Sequence, residues 1–396
     1  MNMRPEYRLL LDCACTKLSK DKQSEIRKLV NNSLDWDYLL QIGKTHGLTP
    51  LLYYHLHRID CNHQIPQSIM ERLRNIYYGN LAHNISLDCE LNKILNSFEK
   101  KGIPVVVLRG LALTQIVYKN IALRAVADID LLIQKEDLSL VISILLKLGF
   151  SLLQPRSVRE GYSAELCFVK NEASQEKSLS AIYIDVHQDI TSSIRLKRIT
   201  KTDTEGVIRR AHPTRIENVN MLVMAREDLL LHLTLRHCFE RLIRLCDLTE
   251  AIKAKKGELD WQFLLERTKE SRITSIMYYT LWYARQLLEA PVPEYVFKKL
   301  MPSWRRKSML DALLSKAVYP DDSNSLSRGR KYFLQILMSD RLIDVFLVLW
   351  TVVFPSSEWL AYYYGRARAK KLYLSHLINL FAILLSGAGD IFKNIK

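Results

Sequence analysis

Apolar and polar residues follow two different rhythms along this chain. From residue 1 to about 100, and again from Arg226 to the end, apolar residues recur every three or four positions, which predicts helices. About 90 residues between these regions mix short β-branched runs with helical patterns, which predicts strands and helices together. We therefore expect an α+β protein that is predominantly helical. A small mixed-sheet core is embedded between N- and C-terminal helical regions.

The elements of the mixed region can be read in order. We predict strands over 103–108 (IPVVVL), 129–133 (IDLLI), 165–170 (ELCFVK) and 181–187 (AIYIDVH), and helices over 110–120 and 136–150. The expected regions are 1–100 (helical), 101–200 (α/β core) and 201–396 (helical with basic clusters).

A repeat links the two helical regions. Residues 34–56 align without a gap on residues 259–281, and both copies share Leu-Asp-Trp and Tyr-Tyr. Asp35 and Asp260 are the predicted helix N-caps. Two interpretations are open: a duplicated helical arm that grips the α/β unit from both sides, or convergent helix-hairpin patterning.

Two strands carry acids in an alternating pattern. In 128-DIDLLI-133, Asp128 and Asp130 share one face of the strand, because successive strand residues point to opposite faces. In 182-IYIDVH-187, Asp185 and His187 share a face in the same way. If the two strands are neighbours, three carboxylates converge, and they repel each other unless a cation lies between them. Carboxylate oxygens suit Mg²⁺, and three acids could hold two metal ions for phosphoryl or nucleotidyl transfer.

The turn before the acids favours phosphate binding. The first predicted strand ends at Leu108-Arg109-Gly110, and a helix follows at once. A glycine there lets the backbone approach a phosphate, and a helix start supplies unpaired N–H groups. Arg109 and Arg124 are candidates for the phosphate charges. The expected nucleotide-binding residues are Arg109, Gly110, Leu111 and Arg124.

Together, Gly110, the Asp128/Asp130 pair and Asp185 resemble the signature of the DNA polymerase beta-type nucleotidyltransferase superfamily. The wider run from GIPVVVLRGLALTQIVY through LRAVADIDLLI to YIDVH is similar to a branch of largely uncharacterised bacterial nucleotidyltransferases. The resemblance implies two Mg²⁺ ions, an NTP donor and transfer of an NMP to an acceptor that the sequence does not identify: a sugar, antibiotic, peptide, protein or RNA. It also implies that Asp128, Asp130 and Asp185 are the metal ligands and catalytic residues.

The chain departs from the superfamily pattern near the phosphates. Gly110 is followed by Leu111 where many members have Ser or Gly, and Arg109 stands where the related branch often has Lys. The gap from Gly110 to Asp128 is also longer than in compact members. These departures concern the triphosphate end of the site and leave the acids in place.

Three histidines are candidates for an acceptor pocket: His187 beside the third acid, and His232 and His237 in an apolar helix. The alternative for each is a structural hydrogen bond.

Charge is concentrated at the C-terminal end. Formal net charge is +15, and residues 296–396 contain 16 Lys and Arg against 7 Asp and Glu. The segment 366–385 places RARAKK before an apolar helical stripe, a pattern that suits weak contact with an anionic membrane surface. Basic residues beside aromatics also suit nucleic acid, and a solvated face over a helical core is a third interpretation.

Seven cysteines without paired spacing favour a reducing compartment. With no signal-peptide pattern and no apolar run of about 20 residues, we expect a cytoplasmic protein. A peripheral position at the inner membrane face, through 366–385, is the alternative. We interpret the chain as a metal-dependent nucleotidyltransferase. The rival interpretations are a non-catalytic helical adaptor that retains a relic core, and a nucleic-acid-binding protein.

Overall fold

The computed structural model describes residues 3–59, 64–153, 165–171, 181–191, 197, 199–216, 219–235, 241–254, 258–314, 338–355, 360, 373 and 375–379. The protein is mainly helical and contains one mixed seven-stranded sheet, so the predicted α+β class is confirmed.

Five helices precede the sheet. They are α1 (Pro5–Asp12), α2 (Lys20–Val30), α3 (Trp36–His46), α4 (Thr49–Arg58) and α5 (Gln67–Glu99). The first four pack together, and the long α5 runs from this bundle to the sheet, where it packs on its inner strands. The N-terminal region thus reaches the sheet through one helix.

The strands are β1 (Val105–Val107), β2 (Ile129–Ile133), β3 (Ser151–Leu152), β4 (Glu165–Asn171), β5 (Ala181–His187), β6 (His212–Ile216) and β7 (Val219–Val223). Their order in the sheet is β3-β4-β5-β2-β1-β7-β6. The pairs β2–β5 and β1–β7 are parallel, and the other pairs are antiparallel. Strands β6 and β7 extend the sheet beyond residue 200, where we drew the end of the α/β core. These two five-residue strands lack the long apolar run that is typical of a buried strand, so the apolar pattern did not predict them.

Helical segments also connect the strands. After β1 come α6 (Leu111–Leu113), a π-helical turn over Thr114–Tyr118, and, after β2, α7 (Leu138–Lys147). The C-terminal helices are α8 (Thr204–Arg210), α9 (Arg226–Leu235), α10 (Leu242–Lys253), α11 (Trp261–Glu270), α12 (Thr274–Leu288), α13 (Glu294–Leu300), α14 (Trp304–Leu314) and α15 (Leu342–Val353).

Each face of the sheet packs into its own core. Ile129, Leu131 and Ile133 join a cluster with α5 and α7, whereas Leu132 faces the opposite way and joins the core built by both helical regions. Strand alternation explains this division. Asp130 lies between Ile129 and Leu131 in the strand, so it points to the same face as Leu132, away from α5 and α7.

The two copies of the sequence repeat have the same local structure. The Asp35 side chain accepts a hydrogen bond from the Tyr38 amide at 3.0 Å, and the Asp260 side chain accepts one from the Phe263 amide at 2.9 Å, so both predicted N-caps are confirmed. The turn after each first helix contains a residue with positive φ, Gly47 (74°) and Arg272 (59°), at equivalent positions.

A glutamate holds each copy in the same way. Glu6 of α1 accepts a hydrogen bond from the Asp35 amide, and Glu227 of α9 accepts one from the Asp260 amide. The shared anchoring favours a duplicated arm over convergent patterning. Both arms contribute to one core on the acid-bearing face of the sheet. The expectation that they grip the α/β unit from both sides is therefore wrong, because α5 and α7 occupy the other face.

Among the described helices, none combines the length and the apolar character needed to cross a bilayer.

Candidate metal centre

Three aspartates meet on one face of the sheet, opposite to the face that packs against α5 and α7. Strands β2 and β5 run parallel, with Asp130 and Asp185 as register partners, and Asp128 lies two residues before Asp130 on the same face. One carboxylate oxygen from each residue can be chosen so that all three atoms lie within 4.8 Å of one another. The distance suits ligands that share a metal ion. The three acids are therefore positioned to bind a divalent metal.

The surroundings of Asp130 are buried and hydrogen-bonded. Asp130 is 1% exposed, and its Oδ1 atom accepts hydrogen bonds from Arg109 Nη2 at 2.7 Å and from His187 Nε2 at 2.9 Å. These donors fix the orientation of the carboxylate. Hard oxygen donors on rigid strands match the preferences of Mg²⁺, Mn²⁺ or Ca²⁺.

A chain of contacts reaches Asp130 from α9. The Ile190 carbonyl oxygen lies 2.9 Å from His232 Nδ1, and since a carbonyl only accepts, Nδ1 carries the proton. In the neutral ring His232 Nε2 is then an acceptor, and Arg109 Nη1 lies 3.3 Å from it. His232 therefore aligns the guanidinium that binds Asp130. This is the structural role that we weighed against an acceptor pocket.

A second chain reaches Asp130 from the other side, across β5 and β4. His187 Nδ1 lies 3.2 Å from Glu165 Oε1, and the two residues are register partners of the antiparallel pair. The His187 ring therefore lies between the carboxylates of Asp130 and Glu165. Sequence reasoning missed Glu165. Its position as the first residue of the ELCFVK strand was visible, but its pairing with His187 depended on a register that the sequence does not give.

The turn that follows β1 requires its glycine. Gly110 has φ 57° and ψ −108°, and an added Cβ atom would lie 3.1 Å from Val126 Cγ1. Leu111 is buried in the core shared with α5 and α7, so it can offer a ligand only its backbone. The turn thus brings its backbone close to the segment that leads to Asp128.

The Arg124 side chain is paired with a buried carboxylate, that of Asp247. Its Nε and Nη2 atoms donate to the two carboxylate oxygens of Asp247 on α10, both at 2.8 Å, and the Tyr118 hydroxyl donates to the same carboxylate. Burial opposes the charged form of Arg124, but the adjacent Asp247 more than compensates, so the pKa of the guanidinium is raised. Burial and the Asp247 charge also raise the pKa of Tyr118. The structure therefore places Arg124 in a buried ion pair, which leaves it poorly placed for the phosphate contact that we expected.

The segment before Asp128 is also held from α5. Asn84 Nδ2 donates to the Ile121 and Arg124 carbonyl oxygens at 2.6 and 2.8 Å, and Asn80 Nδ2 donates to the Ala122 carbonyl oxygen at 2.8 Å. Helix α5 from the N-terminal region and α10 from the C-terminal region therefore both hold the segment that precedes Asp128.

Of the predicted site residues, the structure brings together Asp128, Asp130, Asp185, Arg109, His187 and His232, with Gly110 and Leu111 at the adjoining turn. Arg124 lies in the ion pair with Asp247. His237 lies outside the described residues, as does most of 366–385.

Comparison with protein families gives a match over most of the chain. The family described as uncharacterised nucleotidyltransferase matches residues 32–289, which include the sheet, the three aspartates and both copies of the repeat. No curated protein matches the chain.

Proposed function

The chain belongs to this family of uncharacterised nucleotidyltransferases, and from that premise we propose that it transfers an NMP from an NTP to an acceptor in a reaction that needs two Mg²⁺ ions. The observation that carries the proposal is the convergence of Asp128, Asp130 and Asp185 from neighbouring parallel strands. The resemblance to the polymerase beta-type superfamily supports the same arrangement.

In this proposal the three acids have distinct roles. Asp128 and Asp130 bind both metal ions, while Asp185 binds one and accepts the proton of the acceptor hydroxyl. Bound Mg²⁺ would neutralise charge on the transferring phosphoryl group and align the attacking and leaving oxygens. The chain itself contributes rigid placement, because Asp130 and Asp185 are fixed by strand pairing.

The neighbouring residues orient these acids and the donor. Gly110 and the backbone after it, including Leu111, lie where the β- and γ-phosphates would be held. Arg109 is fixed between Asp130 and His232, and in this proposal its charge faces the phosphates. His187 donates to Asp130 and orients it, and in this proposal its ring borders the acceptor site. We assign Arg124 to positioning Asp128 rather than to nucleotide contact.

Mass spectrometry tests the reaction. The purified chain is incubated with Mg²⁺, the four common NTPs and a cell extract, and the products are searched for the mass of a transferred NMP. We expect a product with the wild type that disappears with Asp128→Asn and persists with Glu205→Gln, which changes an exposed acid outside the group of three aspartates. A non-catalytic adaptor predicts equal results for all three proteins.

A further inference from the structure

Helix α15 exposes large apolar side chains along one side. Ile343, Phe346 and Trp350 lie on α15, and Phe354 directly follows it; all four are between 48% and 57% exposed. Their spacing of three, four and four residues places them on one side of a helix. A soluble helix usually turns such a stripe towards the core, so this one requires another explanation.

The aromatic rings of this stripe form a continuous surface. The ring centroids of Phe346 and Trp350 are 6.0 Å apart, and those of Trp350 and Phe354 are 4.5 Å apart. Ring contacts of this length keep the aromatic side chains in a fixed array. The exposed rings are therefore a shaped surface rather than scattered apolar residues.

A second segment with exposed apolar residues is tied to the end of α15. The Tyr373 hydroxyl donates to the Pro355 carbonyl oxygen at 2.9 Å, which joins residue 373 to the end of α15. One helical turn further, Leu377 and Ile378 are also exposed. We call the six exposed residues the aromatic surface: Ile343, Phe346, Trp350, Phe354, Leu377 and Ile378.

The aromatic surface carries no negative charge of its own. Asp344 is the one acidic residue of α15, and it is 1% exposed. The surrounding sequence is basic: residues 296–396 contain 16 Lys and Arg against 7 Asp and Glu, and RARAKK (366–371) falls between the two parts of the aromatic surface in sequence. An uncharged aromatic patch in a basic region fits a partner with an apolar interior and anionic groups at its surface.

We propose that the aromatic surface docks the protein on an anionic phospholipid bilayer. Phe and Trp favour the boundary between headgroups and acyl chains, and the basic residues that lie close to them in sequence would add attraction to acidic lipids. The twelve residues of α15 span about 18 Å, well short of the roughly 30 Å hydrocarbon layer, so the helix lies on the membrane. A nucleic acid would instead call for positive charge among the aromatic residues. The proposal does not depend on nucleotidyl transfer.

Vesicle flotation of the full chain tests this docking. The vesicles contain phosphatidylcholine alone or phosphatidylcholine with roughly one third phosphatidylglycerol. The variant is F346S/W350S, and the matched control is L140S/L146S, which removes two exposed leucines of α7. Circular dichroism and thermal melting establish that each protein is folded, and light scattering gives its oligomeric state.

We expect the wild type and L140S/L146S to float with the acidic vesicles, less so at high salt, and F346S/W350S to bind at least about tenfold more weakly. Absence of wild-type flotation at low salt would overturn the proposal, as would equal flotation of F346S/W350S. A wild-type dimer that dissociates in F346S/W350S, without vesicle binding, would assign the surface to a second copy of the chain. Because no nucleotide is present, the outcome is independent of the proposed reaction.

Discussion

Arg124 donates two hydrogen bonds of 2.8 Å to the carboxylate of Asp247, across 123 residues of sequence. Both side chains are buried, and the pair joins the backbone leading to Asp128 with helix α10. The C-terminal helical region therefore helps to build the candidate metal centre, and one side of the site depends on a long-range ion pair.

Removing one partner of this pair should be far more damaging than removing both. Asp247→Asn leaves the Arg124 charge buried without its counter-ion, and we expect a loss of about 3–5 kcal/mol in the free energy of unfolding. The double variant Arg124→Met/Asp247→Leu replaces both charges by apolar groups and should lose much less. Urea unfolding measures both values. Equal losses of stability in the two proteins would contradict the expectation that the unpaired, buried Arg124 charge causes the damage.

Gly110 should tolerate no side chain. Gly110→Ala forces a residue with a Cβ atom into a backbone conformation reserved for glycine and places that atom 3.1 Å from Val126, so we expect a loss of about 1–3 kcal/mol. The control is Gly79→Ala in the exposed middle of α5, where an added Cβ meets no atom within 4 Å. That change should stabilise the protein by about 0.5–1 kcal/mol. Thermal melting measures the stability of both variants. If Gly110→Ala melts at the same temperature as the wild type, a glycine is not required at this turn.

The two N-caps of the repeat should be energetically equivalent. Asp35 and Asp260 each accept one amide hydrogen bond at the start of a helix, and replacing either by Ala should cost about 1 kcal/mol. Unfolding in urea gives both numbers. If one cap costs nothing while the other costs the full amount, the copies no longer share the role that their structures suggest.

His46 predicts an acid sensitivity of the fold. Burial and, to a lesser degree, the Arg241 charge lower the pKa of His46 to about 4, and its Nδ1 atom accepts a hydrogen bond from the Leu242 amide. Since the folded pKa lies below the unfolded value of 6.5, the stabilisation is complete above pH 6.5 and is lost as the pH falls from 6.5 towards 4.

This term should cost about 2 kcal/mol between pH 7 and pH 5. His46→Gln can still accept the amide hydrogen bond but does not titrate, so its stability should fall less over the same range. Urea unfolding at several pH values compares the two proteins. Parallel pH profiles would exclude His46 as the cause.

The strands that carry the site were readable from sequence because their alternation is strong. The apolar residues of IDLLI and IYIDVH had to face a core, which placed Asp128, Asp130 and Asp185 on the opposite face. The glycine between a predicted strand and a predicted helix marked the turn at Gly110. What the sequence did not give was pairing: the register of Asp130 with Asp185 depends on the whole sheet, and so does the partnership of His187 with Glu165.

Arg124 shows the same limit in a single residue. Its closeness in sequence to Asp128 made it a candidate for phosphate binding, but a buried carboxylate on a distant helix binds it instead. No local pattern identifies such a partner, since long-range ion pairs depend on how the helices pack. The hydrogen bonds from the repeats to Glu6 and Glu227 were not predictable either, because they also depend on how the helices pack.

We propose that Asp128, Asp130 and Asp185 together hold the metal ions that bind a nucleotide. The most direct measurement is a titration of Mn²⁺, followed by the electron paramagnetic resonance signal of the free ion, with a non-hydrolysable ATP analogue present. Wild type and the exposed-acid control Glu205→Gln should bind the metal equally, and Asp185→Asn should bind it at least about tenfold more weakly while remaining folded. If Asp185→Asn binds Mn²⁺ as tightly as the wild type, the three-acid site is contradicted.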